Sequence, residues 1–180
     1  MMCDNCGKHE PASTRSHKQG TMKRIGFGII TVSSSKFRGE GTDASGDVMA
    51  GIVENEGHSA AKRAVVDDDA IMIKEKVLEF VSYEDVDAVV TSGGTGLAPR
   101  DVTIEALRGV FDKEMTGFNP VFMKLSHGRI GTACVLSRAT AGIVRGKAVF
   151  CLPGSPDACR LAMEEIIIPE AGHILKHAGE

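Results

Sequence analysis

Apolar positions along the chain recur with two different periods. Short runs of strand-favouring composition, Arg24–Val32, Ser59–Val66, Val86–Ser92 and Ala148–Leu152, read as strands, with β-branched residues concentrated in the first and third. Between them, apolar residues return at three- and four-residue spacing and predict amphipathic helices. The stripes are Val48, Met49, Ile52 and Val53; Ile71, Ile73, Val77, Leu78 and Val81; Ile104, Leu107 and Val110; and Phe118, Val121, Phe122 and Leu125. Gly57 is placed to end the first of these helices, and His127 and Arg129 fall in the turn after the last. Ala133–Arg138 and Ala141–Val144 are further strand-like runs, and Arg145-Gly146-Lys147 is a turn that makes a hairpin with Ala148–Leu152. A helix is expected over Asp157–Ile168, with Pro169 separating it from a final helix that ends near His177. Strands alternating with helices predict an α/β fold. The expected form is a three-layer α/β/α domain over residues 22–180, its sheet mostly parallel with an antiparallel hairpin at one edge.

Composition narrows the function. The chain has 180 residues, with 21 Lys and Arg against 24 Asp and Glu, a net charge of −3. It lacks the basic excess of a nucleic-acid surface or a membrane-binding patch. Tryptophan is absent and aromatic residues make up 4%, which argues against a stacking platform for single strands. The apolar runs are too short to span a bilayer, and the amino terminus has no hydrophobic signal core. Five cysteines, an odd number, favour reduced thiols and a cytoplasmic location. Residues 1–21 are polar and aperiodic, a flexible tail. Within it, Cys3, Cys6, His9 and His17 have the ligand types of a zinc site but no apolar residues around them to build a knuckle.

The chemistry concentrates in Ser92-Gly93-Gly94-Thr95-Gly96, where a buried strand breaks into glycines, and in the following Pro99-Arg100-Asp101-Val102-Thr103, which can open a helix. Glycine lets the backbone take positive φ and lets a ligand lie against peptide N–H groups. A strand that feeds a helix through such a loop is where open α/β sheets bind anions. Asp101 or Thr103 is expected to accept from the free amides of the next turn. This is not a P-loop, because no lysine follows before Lys113. Nor is it the dinucleotide fingerprint, because Pro99 stands where the third glycine is required. A cradle for a phosphate or a pterin, and a plain strand–helix turn, both remain open on these residues.

Other segments carry weaker versions of the same signal. Ser33-Ser34-Ser35 closes the first strand, and Pro153-Gly154-Ser155 joins the last strand to a helix; each reads equally as a ligand site or as a turn. Asp67-Asp68-Asp69 closes the second strand. The three acids fit either a charge cluster at the start of a helix or a carboxylate, Asp67, pointing into the glycine-loop crevice.

Taken with Thr31-Val32-Ser33, Asp43-x-Ser45-Gly46, Leu136-Ser137-Arg138 and Leu152-Pro153-Gly154-Ser155-Pro156, the glycine loop resembles the motif set of the molybdenum-cofactor biosynthesis proteins of the MoaB/Mog type. The motifs lie in the family's order and span Lys23 to His177. Val66 stands where many relatives have proline, and Ser34 near where Mog-type relatives carry an aspartate. The Ala133–Ile143 and Pro153–Cys159 blocks are closer to the MoaB-type branch.

The resemblance implies adenylylation of molybdopterin: ATP and the dithiolene pterin give adenylated molybdopterin and pyrophosphate, with Mg²⁺. It resolves the acid cluster in favour of Asp67. Asp67 and Asp101 become the catalytic acids and the Mg²⁺ ligands. Ser45, Gly46, Ser92, Gly93, Gly94, Thr95, Gly96, Thr103, Ser137, Arg138, Pro153, Gly154 and Ser155 form the ligand pocket, with Arg138 as the cation for a phosphate or the partner of an internal acid. It also implies a homotrimer or homohexamer and a downstream metal-insertion protein that receives the product. Two rivals are a non-catalytic carrier of the pterin and a hydrolase of nucleotide pyrophosphates.

Overall fold

Every residue of strand β1 (Gly26–Val32) is buried, and its alternate side chains enter two separate cores. The computed structural model describes residues 24–180; the Cys3/Cys6/His9/His17 set and the expected tail lie outside the described residues. After β1 come α1 (Ser34–Phe37), α2 (Ala44–Asn55), β2 (Ser59–Val66), α3 (Ala70–Phe80), β3 (Ala88–Ser92) and α4 (Thr103–Arg108). The rest is β4 (Lys113–Glu114), α5 (Phe118–Ile130), a 3₁₀ turn (Gly131–Leu136), β5 (Thr140–Val144), β6 (Lys147–Leu152), α6 (Pro156–Ala162), a π turn (Met163–Ile167) and α7 (Ile168–Ala178).

The six strands form one sheet in the order β2-β1-β3-β6-β5-β4. The first four run parallel, and β5 and β4 add antiparallel strands at one edge. Alternation along the central strands decides the two faces. Phe27 and Ile29, Ala88 and Val90, and Ala148, Phe150 and Leu152 pack against α2, α5, α6 and the π turn. Ile30 and Val32, Val89, and Val149 and Cys151 pack against α3 and α4. The expected three layers and mostly parallel sheet are observed. So is the hairpin, whose two-residue turn, Arg145 and Gly146, has both φ positive, as a tight hairpin requires.

Three expectations are corrected. Ala133–Arg138 is not a strand: Gly131–Leu136 is a 3₁₀ turn that follows directly on α5 and pairs with no strand of the sheet. His127 and Arg129 lie in the last turn of α5 rather than beyond it, since α5 continues to Ile130 and stops at Gly131 with φ +60°. Pro169 does not separate two helices. The helical path runs on from α6 through the π turn into α7, and the wider turn relieves the clash of the proline ring with the carbonyl four residues back, that of Glu165.

Phe150, fully buried, stacks at an angle on Phe118 with ring centroids 5.5 Å apart. Phe150→Ala is expected to destabilise the fold by about 3–5 kcal/mol, read as a lower urea midpoint with an unchanged denaturant slope.

Candidate active site at the carboxyl ends of the parallel strands

Register fixes where the site lies. Val32 pairs with Val66, Thr31 with Ser92, and Ser92 with Leu152, so Ser33, Asp67, Gly93 and Pro153 leave the sheet at one level. The chain goes from β1 outward to β2 and returns on the other side as β3. The glycine loop therefore sits at the switch point, where open α/β sheets leave a crevice.

The loop is held from beneath. Gly93 has φ +103° and Gly94 φ +62°, both in the left-handed region. A Cβ on Gly93 would lie 2.2 Å from the Val32 carbonyl oxygen, and one on Gly94 would lie 2.4 Å from Thr103 Oγ1. Gly154 presses on the same loop from β6, its Cβ position 3.1 Å from Gly93 Cα. Thr103, fully buried, donates its hydroxyl to the Gly93 carbonyl and its amide to the Gly94 carbonyl, each at 2.9 Å. The second half of the loop is closed by Asp101, whose Oδ2 accepts from Ala98 N at 2.9 Å. Neither Asp101 nor Thr103 caps α4, so both expectations of a helix cap are replaced by a loop-bracing role. The Gly93 amide, expected to face a ligand, instead extends the ladder to Leu152 O at 3.0 Å. The amides of Gly94, Thr95 and Gly96 have no acceptor among the described residues.

The acid run divides its labour. Asp69 caps α3, accepting from Ile71 N and Met72 N, as a charge cluster at a helix start would. Asp68 accepts from both the amide and the hydroxyl of Ser34 at 2.8 Å, tying the end of β2 to the start of α1. Asp67 is half-buried at the crevice. The nearby Ser34 hydroxyl and then the Asp68 amide hold its carboxyl below the usual aspartate value, helped by the Arg38 charge against a small opposing effect of burial.

The remaining expected residues surround this centre unevenly. Ser45 and Gly46 are buried in the first turn of α2, whose cap, Asp43, accepts from Gly46 N and takes the Thr31 hydroxyl on both carboxylate oxygens. Ser92 is wholly buried, and its hydroxyl has no hydrogen-bond partner among the described residues. Thr95 is buried as well. Arg138 pairs with Glu105 on α4; burial, the largest single effect, raises that carboxyl, but the Arg138 hydrogen bond, the backbone amide of Glu105 and the Arg138 and Arg108 charges together outweigh it, and the net shift is down. Ser137, Pro153 and Ser155 line a groove of about 420 Å³ between α5 and α6, together with Arg129. Ser155 also caps α6, accepting from Ala158 N at 3.3 Å. Asp43 and Asp68 were named within motifs but given no role in the sequence, and Arg38 was not singled out. Asp43 was legible, since it precedes an apolar helical stripe by one turn, whereas Asp68 needed the fold to bring Ser34 to it.

Cysteine chemistry is excluded at this site. Burial pushes the thiols of both Cys151 and Cys159 up to about 12, so neither is a nucleophile near neutral pH.

A glycine loop with amides unpaired among the described residues, at the switch point of an open, mostly parallel sheet, is the place where α/β folds of this class bind their ligands. Residues 28–173 match the family model described as "Probable molybdopterin binding domain". The chain is 42% identical over 165 residues to the molybdenum cofactor biosynthesis protein B of Bacillus subtilis, covering 91% of this chain and 96% of that protein. It is 42% identical over 164 residues to the "Probable molybdopterin adenylyltransferase" of Methanocaldococcus jannaschii, covering 91% and 99%. The crystal structure of the tungsten cofactor synthesizing protein MoaB from Pyrococcus furiosus superposes with a TM-score of 0.81 at 42% identity, covering 89% of this chain and all of that one. The chain belongs to the MoaB/Mog family of molybdenum-cofactor biosynthesis proteins.

Two outcomes follow from the bracing. Thr103→Val keeps the shape but leaves the Gly93 carbonyl unpaired. It is expected to cost about 1–3 kcal/mol and to speed amide exchange in residues 93–96, with Thr103→Ser restoring both. Ser34→Ala removes the first cause of the depressed Asp67 pKa. The carboxyl should then titrate at higher pH, followed by carbon NMR; in the unmodified chain Asp67 stays charged as pH falls through the ordinary aspartate range.

Proposed function

We propose that this chain is a molybdopterin adenylyltransferase, which moves AMP from ATP to the terminal phosphate of molybdopterin and releases pyrophosphate. The observation that carries the reading is the glycine loop itself. The Gly94, Thr95 and Gly96 amides are left without acceptors among the described residues, on a backbone that Thr103 and Asp101 hold in place, and the acid run after β2 reaches this loop through Asp68, whose Oδ1 lies 3.4 Å from the position of a Cβ on Gly94.

A terminal phosphate oxygen of the pterin attacks the α-phosphorus of ATP. The new P–O bond forms as the α–β bridging P–O bond breaks, and the electron pair leaves with pyrophosphate. The attacking phosphate is already ionised, so no general base is required, which agrees with a site that offers no cysteine or histidine nucleophile. What the protein supplies is position and charge neutralisation. The loop amides hold the phosphates, and Ser45 and Gly46 at the start of α2 shape the pocket from one side. Ser137, Pro153, Gly154 and Ser155 shape it from the other, with Ser92 and Gly93 supporting the loop from below. Arg138, on its Glu105 partner, offers a cation at the α4 side of the loop.

Mg²⁺ fits this donor set. Among the described residues no three metal-binding side chains form a cage. Mg²⁺ is commonly held by one or two carboxylates together with substrate phosphates. Asp67 and the second oxygen of Asp101 are the groups we assign to it, where it would neutralise charge on the pyrophosphate as it leaves.

We also infer a homotrimer or homohexamer, supported by the exposed Ile130, Val135 and Leu136 around the end of α5 and the 3₁₀ turn. A cytoplasmic location is supported by free thiols at Cys134, Cys151 and Cys159. No helix among the described residues is long and apolar enough to cross a membrane. The product carries an activated phosphoanhydride and suits hand-over to a metal-insertion protein.

The test is incubation with Mg-ATP and molybdopterin, following pyrophosphate and adenylated pterin. Pterin-dependent turnover is expected, with Asp67→Asn and Asp101→Asn each reducing it about a hundredfold or more. Pterin binding without turnover would leave a carrier, and AMP release without pterin a hydrolase; either overturns the proposal.

A further inference from the structure

At the other end of the sheet, where the β5–β6 turn begins β6 rather than ending it, α7 carries His173 and His177 one turn apart. Their Nε2 atoms face each other at 3.1 Å. Each ring is oriented through its other nitrogen by a carboxylate: His173 Nδ1 lies 3.4 Å from Glu170 Oε2, and His177 Nδ1 lies 3.3 Å from Glu180 Oε2. The pair borders a cleft of about 560 Å³ that Asp112 and Glu114 also line.

We propose that His173 and His177 form a binding site for a divalent transition cation of the Zn²⁺ class, separate from the nucleotide site. Two imidazole nitrogens about 2.0–2.1 Å from Zn²⁺ at a tetrahedral angle stand about 3.3 Å apart, and at a right angle about 2.9 Å. The observed spacing lies between these values. Carboxylates at both Nδ1 atoms favour Nδ1–H on each ring, which turns two lone pairs toward one another at Nε2. A metal ion bound by both nitrogens answers this arrangement, and a carboxylate on the other ring nitrogen is what fixes the tautomer and orientation of a metal-binding histidine. Imidazole suits Zn²⁺, Cu²⁺ and Ni²⁺ rather than Mg²⁺, so this site does not compete with the phosphate end for its ion. The cleft carries Asp112, Glu114 and Glu180 against Lys113, with Glu114 paired to Arg108, so the two imidazoles carry the selectivity for the ion. Two histidines four apart on one helix face are the spacing by which metalloproteases present zinc ligands.

The test uses the full chain carrying Cys3→Ser and Cys6→Ser, so that thiols contribute nothing, stripped of metal and titrated with Zn²⁺ by calorimetry. One equivalent is expected to bind. His173→Ala and His177→Ala should each weaken it by more than tenfold, and Glu180→Gln by about tenfold, with adenylyl transfer unchanged. In the chain with both histidines, Zn²⁺ should also shift the two imidazole Nε2 resonances in nitrogen NMR, which does not depend on any variant folding. Equal uptake by parent and histidine variants, no saturable uptake, or unmoved Nε2 resonances that report only a shared proton would overturn the proposal.

Discussion

Thr103 holds the glycine loop through both of its polar groups, and the site is arranged around that hold. Its hydroxyl and amide take the carbonyls of Gly93 and Gly94, which turns the following amides of the loop away from the protein. The same two glycines must lack side chains, because Val32 and Thr103 occupy the space a Cβ would need. A loop fixed in this way presents donors whose positions need no reorganisation when charge arrives, which is how oriented amides contribute most to phosphate chemistry.

The hold works because the sheet brings its partners to one level. Parallel pairing sets the ends of β1, β2, β3 and β6 side by side, so that Gly154 packs on Gly93 and Asp68 reaches back to Ser34. The central strands are buried on both faces, which removes any polar–apolar alternation that could tolerate a slip in register. Ser92 and Thr91 show the consequence. Both are hydroxyl residues at the mouth of the site by sequence, yet both side chains are sealed inside, with no hydrogen-bond partner among the described residues.

The main architecture was legible because its signals are local. The four parallel strands carry strand-favouring runs, β2 matches its expected limits to the residue, and the Arg145–Lys147 turn needed only a short glycine-containing link between two apolar runs. Where the reading went astray, the deciding contact was not local. Ala133–Arg138 has strand composition but coils into a 3₁₀ turn on leaving α5, and Pro169 is tolerated because the helix widens ahead of it. In the site, the glycine loop was legible from its place after a strand, whereas Asp67 was picked from its acid run only by the family resemblance. That Thr103 braces rather than caps, and that the Gly93 amide is already committed to Leu152, depended on the loop folding back across β6 and β1.

Asp67 and Asp101 gain their proposed roles from the same geometry, one at the end of β2 and one closing the glycine loop. The central claim is therefore spatial: nucleotide phosphates rest on the Gly94–Gly96 amides at the switch point. A crystal structure of the chain with AMP and Mg²⁺ tests it most directly. The account predicts phosphate oxygens within hydrogen-bond distance of those amides, with Asp67 and Asp101 turned toward the metal. A nucleotide bound elsewhere, with the loop amides still facing solvent, would contradict it.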